Sequence, residues 1–134
     1  MQTLKLPAKL ESLHSAMEFL KNFFTDCRID SSVAMQIELA VEEALVNIIS
    51  YAYHDNDGDM ELSCDISTDR KLTCVISDSG TAFDSLQKEE PDLSIPVEER
   101  AIGGLGIFLV RKMMDDVQYK RENDRNILTL MKKV

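Results

Sequence analysis

The chain has 134 residues, of which 44% are hydrophobic and 29% are charged. This composition is typical of a folded soluble domain and excludes a disordered chain. The length predicts one domain spanning residues 1–134. The formal net charge is −9, whereas nucleic-acid binders usually carry a basic surface, so neither DNA nor RNA is expected as a partner.

No apolar run has the length of a signal peptide or a membrane span, so a cytoplasmic protein without membrane contact is expected. The three cysteines, Cys27, Cys64 and Cys74, form neither a CxxC pair nor a Cys/His cluster, so a zinc site is not expected. They are interpreted as small buried hydrophobic residues, with a reactive thiol as the less favoured alternative.

The N-terminal part of the chain predicts one strand and one amphipathic helix. Residues 2–7 alternate in hydrophobicity, which predicts a short strand that Pro7 ends. Between residues 9 and 28, apolar residues recur at helical spacing. The apolar stripe of this helix comprises Leu10, Leu13, Met17, Leu20 and Phe24.

A second helix is predicted from the capping sequence DSS at residues 30–32 to about residue 53. It has one broad apolar stripe, but Leu39, Val46 and Ile49 lie away from that stripe. Apolar residues on nearly all sides of a helix predict a central and buried position.

The segments MELSCDI and KLTCVIS predict an antiparallel hairpin. If Cys64 lies opposite Cys74, the apolar residues of both strands share one face of the sheet. In this register Asp78 has the parity of the apolar residues, so it points toward the core at the end of its strand and needs a partner there. The same register pairs Ile66 with Leu72 and Leu62 with Ile76.

The remaining elements complete the predicted fold. Residues 81–102 predict a long irregular loop, whose length is typical of a functional lid. The sequence GGLG at residues 103–106 begins a third helix, and a second hairpin is predicted around NDRN. The predicted inner stripe of the third helix is Ile107, Val110, Met114 and Val117. The order of elements favours an α+β two-layer sandwich, with helices packed on one face of a mixed, mostly antiparallel sheet.

Glu43 and Asn47 are four residues apart and therefore lie on one face of the second helix. An amide oxygen is a hard ligand suited to Mg²⁺, which proteins usually share with substrate phosphates. A glutamate one turn away is placed to activate an attacking hydroxyl or water. The alternative, favoured for this pair alone, is an exposed glutamate and an inward asparagine that caps a backbone group.

The sequence DSGTAFD follows the predicted first hairpin. A carboxylate only accepts hydrogen bonds, so Asp78 is suited to the exocyclic amine of adenine and disfavours guanine, which presents an oxygen there. Gly80 allows the backbone to pass close to a flat base. An ordinary turn after a strand explains the same residues equally well.

The glycines Gly103, Gly104 and Gly106 open the third helix, where backbone N–H groups and the helix dipole favour phosphate. The alternative is a flexible hinge. The chain has no Gly-Lys-Ser/Thr sequence, which excludes a P-loop, and the position after a lid excludes a dinucleotide fingerprint. The three motifs, taken together in this order, favour a magnesium–nucleotide site.

With these motifs the chain resembles the histidine-kinase-like ATPases, and more closely the stand-alone anti-sigma factor serine kinases of bacteria. The resemblance covers nearly the whole chain. The residues that carry it are Glu43, Ala44 and Asn47 in a Glu-Ala-x-x-Asn box, Asp78, Gly80 and Phe83 in an Asp-x-Gly motif, and Gly103, Gly104 and Gly106 in the glycine motif.

The resemblance implies ATP and Mg²⁺ as cofactors. Asn47 would ligate Mg²⁺, Asp78 would read adenine, and the glycine loop would close on the phosphates. Glu43 would be the general base that activates a serine hydroxyl of a protein substrate. Arg100, which precedes the glycine loop, is the candidate contact for the terminal phosphate.

The resemblance also implies partners. The substrate would be a small anti-anti-sigma domain of the STAS type, and the second activity would be to hold a sigma factor inactive, as a homodimer with ATP bound. The alternative is an ATP-gated binding module without catalysis, whose acidic loop QKEEPDLSIPVEER presents a face to a basic partner. Two positions depart from the family pattern. Tyr51 replaces a frequent histidine, and Thr129 is the nearest substitute for a Gly-Thr pair near the last strand.

Overall fold

The computed structural model describes residues 1–53, 57–83 and 104–134, with the backbone alone for residues 104–107. Its elements, in chain order, are β1 (Gln2–Pro7), α1 (Ser12–Asp26), α2 (Ser31–Tyr51), β2 (Asp59–Ile66), β3 (Lys71–Asp78), α3 (Gly104–Met113), β4 (Asp116–Glu122) and β5 (Arg125–Lys133). The predicted lid falls almost entirely outside these ranges, as do Arg100 and Gly103.

The five strands form one sheet in the order β1-β2-β3-β5-β4, and each of the four described pairings is antiparallel. The helices cover one face of this sheet: α1 lies against β1 and β2, α2 against β3, and α3 against β4. This arrangement confirms the α+β two-layer sandwich. No helix in the described ranges has the length and apolarity needed to cross a membrane.

The register predicted for the first hairpin is confirmed. Cys64 lies opposite Cys74, and their buried sulfur atoms are 3.5 Å apart. The hydrogen bond with Cys64, together with burial, raises the pKa of the Cys74 thiol well above its usual value. Both residues therefore behave as the predicted small hydrophobic residues, whereas Cys27 is only half-buried.

Helix α1 is shorter than predicted, because the chain turns at Lys9 before the helix begins. Leu10 precedes the helix and is 67% exposed, so it does not belong to the apolar stripe. The other end is closed by Arg28 at a φ of 54°, with Ile29 N–H donating to the Phe24 carbonyl at 3.0 Å. This is the Schellman pattern, which satisfies the last carbonyl groups of a helix.

Helix α2 is central, since it contacts both α1 and α3, but the prediction that it is buried on nearly all sides is wrong. Met35 is 62% exposed and Leu39 is 43% exposed, because neither neighbouring helix covers that side of its N-terminal half. The buried stripe of α2 is Ile37, Ala40, Val41, Ala44, Leu45, Asn47 and Ile48.

The C-terminal hairpin is confirmed, and a two-residue turn joins its strands. Asn123 and Asp124 have φ values of 52° and 60°, the signs that a type I′ hairpin turn requires. Helix α3 ends at Met113, so Val117 lies on β4 and not on the helix. Lys132 of β5 donates to the Met113 carbonyl at 2.8 Å, which attaches the end of α3 to the sheet.

Candidate functional site

A cavity lies between α2, the end of β3 and the β4–β5 hairpin. Part of it is open to solvent. A mostly apolar wall with a few polar groups is typical of small-molecule sites. The residues that line it are Ala44, Asn47, Ile48, Ala52, Ile76, Asp78, Phe83, Tyr119, Asn126 and Leu128. The cavity therefore brings together four residues singled out in the sequence: Ala44, Asn47, Asp78 and Phe83.

Asn47 reaches this cavity from the buried face of α2. Its side chain is only 8% exposed, yet it makes no hydrogen bond with another described residue. The alternative in which Asn47 caps a backbone group is therefore wrong. Among the described residues no fully buried side-chain nitrogen or oxygen lacks a partner, so the polar atoms of Asn47 keep some exposure to solvent. The amide oxygen thus has the chemistry and the position to bind a ligand or a hard cation inside the cavity.

Glu43 lies one helical turn before Asn47 and is half-buried. It is not part of the cavity wall. Burial, and then the charge of the neighbouring Glu42, raises the pKa of the Glu43 carboxyl. A carboxylate with a raised pKa is a stronger base, so this environment suits proton abstraction.

Asp78 is the last residue of β3, and its side chain is 3% exposed, as its parity predicted. Its Oδ1 accepts two hydrogen bonds, from Gly80 N–H at 2.8 Å and from Asn126 Nδ2 at 3.0 Å. Its Oδ2 receives no hydrogen bond from any described residue. Asn126 is therefore the partner that this buried carboxylate needs, and one oxygen remains to accept from a ligand.

Gly80 packs directly against the end of α2. A Cβ atom at this position would overlap the carbonyl group of Ala52. The next residue, Thr81, donates its N–H to that same carbonyl at 2.8 Å. The close backbone approach that the structure shows at Gly80 is thus to Ala52, and it holds the turn after Asp78 against the helix.

Two tyrosines at the end of α2 also contact this turn. The rings of Tyr51 and Phe83 lie 5.8 Å apart with an interplanar angle of 31°. The hydroxyl of Tyr53 donates to the Asp59 carbonyl at 2.6 Å and accepts from Ser79 N–H at 2.9 Å. The aromatic residues therefore join the helix end to both sides of the first hairpin.

The C-terminal hairpin supplies site residues that the sequence analysis missed. Asn126 and Tyr119 line the cavity. Asn126 donates a hydrogen bond to Asp78, and the Tyr119 hydroxyl donates one to Asn126. A signal was present, because Asn126 has the core-facing parity of Leu128 and Leu130. A polar residue at such a position is the same signal that identified Asp78.

Comparison with known proteins gives the site a family context. The chain matches the family model for the histidine kinase-like ATPase domain over residues 6–132. It belongs to the histidine kinase-like ATPase family. It is 34% identical over 121 residues to the serine-protein kinase RsbW of Listeria monocytogenes, covering 87% of this chain and 76% of that relative. It is 31% identical over 136 residues to RsbW of Oceanobacillus iheyensis, covering 97% of this chain and 84% of the relative.

Solved structures share the fold. The RsbU and RsbW domains of a Mycobacterium tuberculosis protein match with a TM-score of 0.67 and 12% identity, covering 99% of this chain and 32% of that one. A blue-light activated histidine kinase of Erythrobacter litoralis matches with a TM-score of 0.59 and 18% identity, covering 78% of this chain and 31% of that one. Both likenesses concern the architecture of the histidine kinase-like ATPase domain.

Within this histidine kinase-like ATPase domain, Thr129 is not the substitute for the family's Gly-Thr pair. Thr129 lies opposite Val75 in the register of β3 and β5. The odd-numbered residues of these two strands face away from the helices. The cavity side of β5 is occupied instead by Asn126 and Leu128. Thr129 is wrong as a site residue because successive strand residues point to opposite faces.

The glycine motif lies at the start of α3. Gly104 is the first residue of this helix and Gly106 lies in its first turn. The N–H groups of a first helical turn have no partner inside the helix and are suited to anions. The predicted roles of Gly103 and Arg100 fall outside the described residues.

Proposed function

We propose that this protein is an ATP-dependent serine-protein kinase of the anti-sigma factor type. The observation that carries the proposal is that Asn47 and Asp78 line the same cavity, while no described residue bonds to the Asn47 amide or to Asp78 Oδ2. An amide suited to a cation and a carboxylate suited to an amine are the two recognition elements that a magnesium–adenine nucleotide requires.

Adenine would occupy the apolar part of the cavity, with its exocyclic amine donating to Asp78. Ala44, Ile76 and Leu128 offer the apolar wall that a flat base needs. The phosphates would extend toward Asn47 and the start of α3, where Gly103, Gly104, Gly106 and Arg100 are proposed to contact them. Bound Mg²⁺ would neutralise charge on the phosphates, and Asn47 would be its protein ligand.

Glu43 is the proposed catalytic residue. It would accept the proton of a serine hydroxyl on the substrate as the serine oxygen attacks the γ-phosphorus, and ADP would leave with the electrons of the broken P–O bond. The raised pKa of this carboxyl supports the role, since a stronger base removes the proton more readily.

The relatives are serine-protein kinases, which supports a protein as the substrate. We propose a small anti-anti-sigma domain of the STAS type as the phosphorylated substrate and a sigma factor as the sequestered protein, both bound by a homodimer in the cytoplasm. The net charge of −9 supports protein partners over nucleic acid.

The test compares Glu43→Gln with Glu11→Gln, the same change at an exposed glutamate just before α1. Each protein is incubated with Mg-ATP and host lysate, and retained small proteins are examined by intact-mass spectrometry. Wild type and Glu11→Gln should add the mass of one phosphoryl group to a partner. Glu43→Gln should bind ATP normally by calorimetry and slow the transfer about 100-fold or more.

Normal transfer by Glu43→Gln would remove the catalytic role from this residue. A partner that is retained only with Mg-ATP, and whose mass never changes even with wild type, would instead establish an ATP-gated binding module. Wild-type protein that binds no ATP would overturn the nucleotide site itself.

A further inference from the structure

We propose that Asn126, oriented by Tyr119, determines which oxygen of Asp78 faces the base and thereby restricts the cavity to bases that carry an amino group where guanine and hypoxanthine carry an oxygen. The inference rests on the proposed nucleotide site and adds a specificity-determining pair to it. Asn126 and Tyr119 come from the two strands of the C-terminal hairpin, β5 and β4, whereas Asp78 comes from β3.

The side chain of Asn126 uses all of its hydrogen-bonding capacity. Its Nδ2 donates to Asp78 Oδ1 at 3.0 Å and to the Thr81 carbonyl at 2.8 Å. Its Oδ1 accepts from the Tyr119 hydroxyl at 2.6 Å and from Phe83 N–H at 3.2 Å. An amide has two N–H donors and two acceptor lone pairs, so no further bond is available to a ligand.

This network allows only one orientation of the amide. If the amide were reversed, its oxygen would face the Asp78 carboxylate and the Thr81 carbonyl, and its NH₂ group would face Phe83 N–H. Three like-with-like contacts in a buried site are strongly unfavourable. The Tyr119 hydroxyl adds to this preference, because its short bond to Oδ1 holds the amide against rotation.

The orientation of Asn126 fixes the function of Asp78. Because Oδ1 is filled by Asn126 Nδ2 and Gly80 N–H, a base can meet only Oδ2. Oδ2 of a carboxylate accepts and does not donate. An amino group on the base is therefore bound, whereas a carbonyl oxygen at the same place faces a negative oxygen and is rejected.

A neutral amide at position 126 is essential to this arrangement. In an Asn126→Asp variant, two carboxyl groups would lie about 3 Å apart, and such pairs hold one proton between them. The shared proton removes part of the negative charge of Asp78, so its base-facing oxygen would repel an oxygen of the base less strongly. The variant should therefore discriminate less against a base that presents an oxygen, although its side chain has the shape of the original.

The experiment measures the affinities of Mg-ATP and Mg-ITP by calorimetry, since inosine carries an oxygen where adenosine carries the amino group. Wild type should prefer ATP about 10- to 100-fold. Asn126→Asp should reduce this preference to less than about 3-fold. Tyr119→Phe removes one hydroxyl and keeps the ring. It should lower the ATP/ITP affinity ratio by a factor of about 3 to 10. Thr129→Val, on the same strand but the other face, is the matched control and should keep the wild-type ratio.

The ratio separates specificity from general damage, because a loss of structure weakens both nucleotides alike. If Asn126→Asp does not fold, Tyr119→Phe decides, and an unchanged ATP/ITP ratio in that variant overturns the inference. Unchanged ratios in both variants, with strong ATP binding by wild type, would refute the role of Asn126 and leave the proposed function standing. A wild type that binds neither nucleotide overturns both.

Discussion

The two hairpins of the sheet have the same architecture and contribute differently to the molecule. In β2–β3 the core-facing residues are apolar along nearly the whole length, and only Asp78, at the end, is polar. In β4–β5 the residues that face the cavity include Tyr119 and Asn126, which bond to each other. The first hairpin thus supplies most of the fully buried apolar residues of the sheet, and the second supplies polar groups that hold Asp78.

The difference shows that the position of a polar residue along a strand decides whether it contributes to the cavity or would lie in the apolar core. Asp78 and Asn126 are direct partners in the register of β3 and β5, at the sheet end beneath the C-terminus of α2. Cys74 and Leu130, four residues along each strand, are partners in the apolar interior. Substitutions in the apolar interior of these strands should therefore change the stability of the fold, and substitutions at their end should change ligand binding. Mutations can test this separation.

The largest effect is expected from Leu72→Ala in the first hairpin. Leu72 is fully buried, and its truncation leaves a cavity in the core, at a cost of about 2–5 kcal/mol in the free energy of unfolding. Urea denaturation measures this loss, with Leu39→Ala, at an exposed position, as the control near zero. The folded variant should keep the wild-type ATP/ITP ratio, and a changed ratio would break the separation between the two hairpins.

Asp78→Asn should weaken nucleotide binding and leave the fold intact, which is the opposite of the effect expected for Leu72→Ala. The variant loses a charged acceptor for the base, which is worth about 1.5–3 kcal/mol, and ATP affinity should fall about 10- to 100-fold. Circular dichroism should show an intact fold. The exposed Asp65→Asn is the matched control, and calorimetry should find no change in its ATP affinity. Loss of folding in Asp78→Asn would make this carboxylate a structural group.

The smallest effect concerns Arg125, which links the two hairpins. Its guanidinium donates to Glu61 Oε2 and to Ser77 Oγ, both at 2.8 Å, and to Ser79 Oγ at 3.1 Å. Arg125→Ala should cost about 0.5–1.5 kcal/mol in the free energy of unfolding, because these groups are half-exposed.

Chemical denaturation in low and high salt measures this contribution, which should shrink as salt screens the ion pair. Lys120→Ala, which removes a more exposed ion pair with Glu122, is the control and should change stability by less than about 0.5 kcal/mol. An Arg125→Ala variant as stable as wild type would mean that the hairpins are held together by their backbone ladder alone.

Much of this architecture was predictable from local patterns. The segments on either side of short polar turns predicted both hairpins, and parity predicted the pairing of Cys64 with Cys74 and the burial of Asp78. Helical spacing predicted all three helices, although the exposure of Leu10 and Leu39 depends on which neighbours cover them. Local patterns describe a segment and its faces, and they do not state what packs against each face.

The candidate site was predictable in part for the same reason. Asn47 and Asp78 belong to short motifs, and the structure places both at one cavity. Asn126 was missed because its partner lies on β3, a strand that is not its neighbour in sequence. Hydrophobic patterns encode which face a residue occupies, but the pairing of non-consecutive strands is decided by the whole fold.

The pairing of Asp78 with Asn126 has a consequence for how the protein is made. The two residues are 48 positions apart, and Asn126 lies close to the C-terminus. During synthesis the N-terminal helices and the first hairpin emerge and begin to fold before β5 exists. The Asp78 carboxylate therefore acquires its fixed orientation only when β5 is added. A ligand that binds this carboxylate would favour chains that contain β5 over shorter growing chains and would stabilise them by mass action.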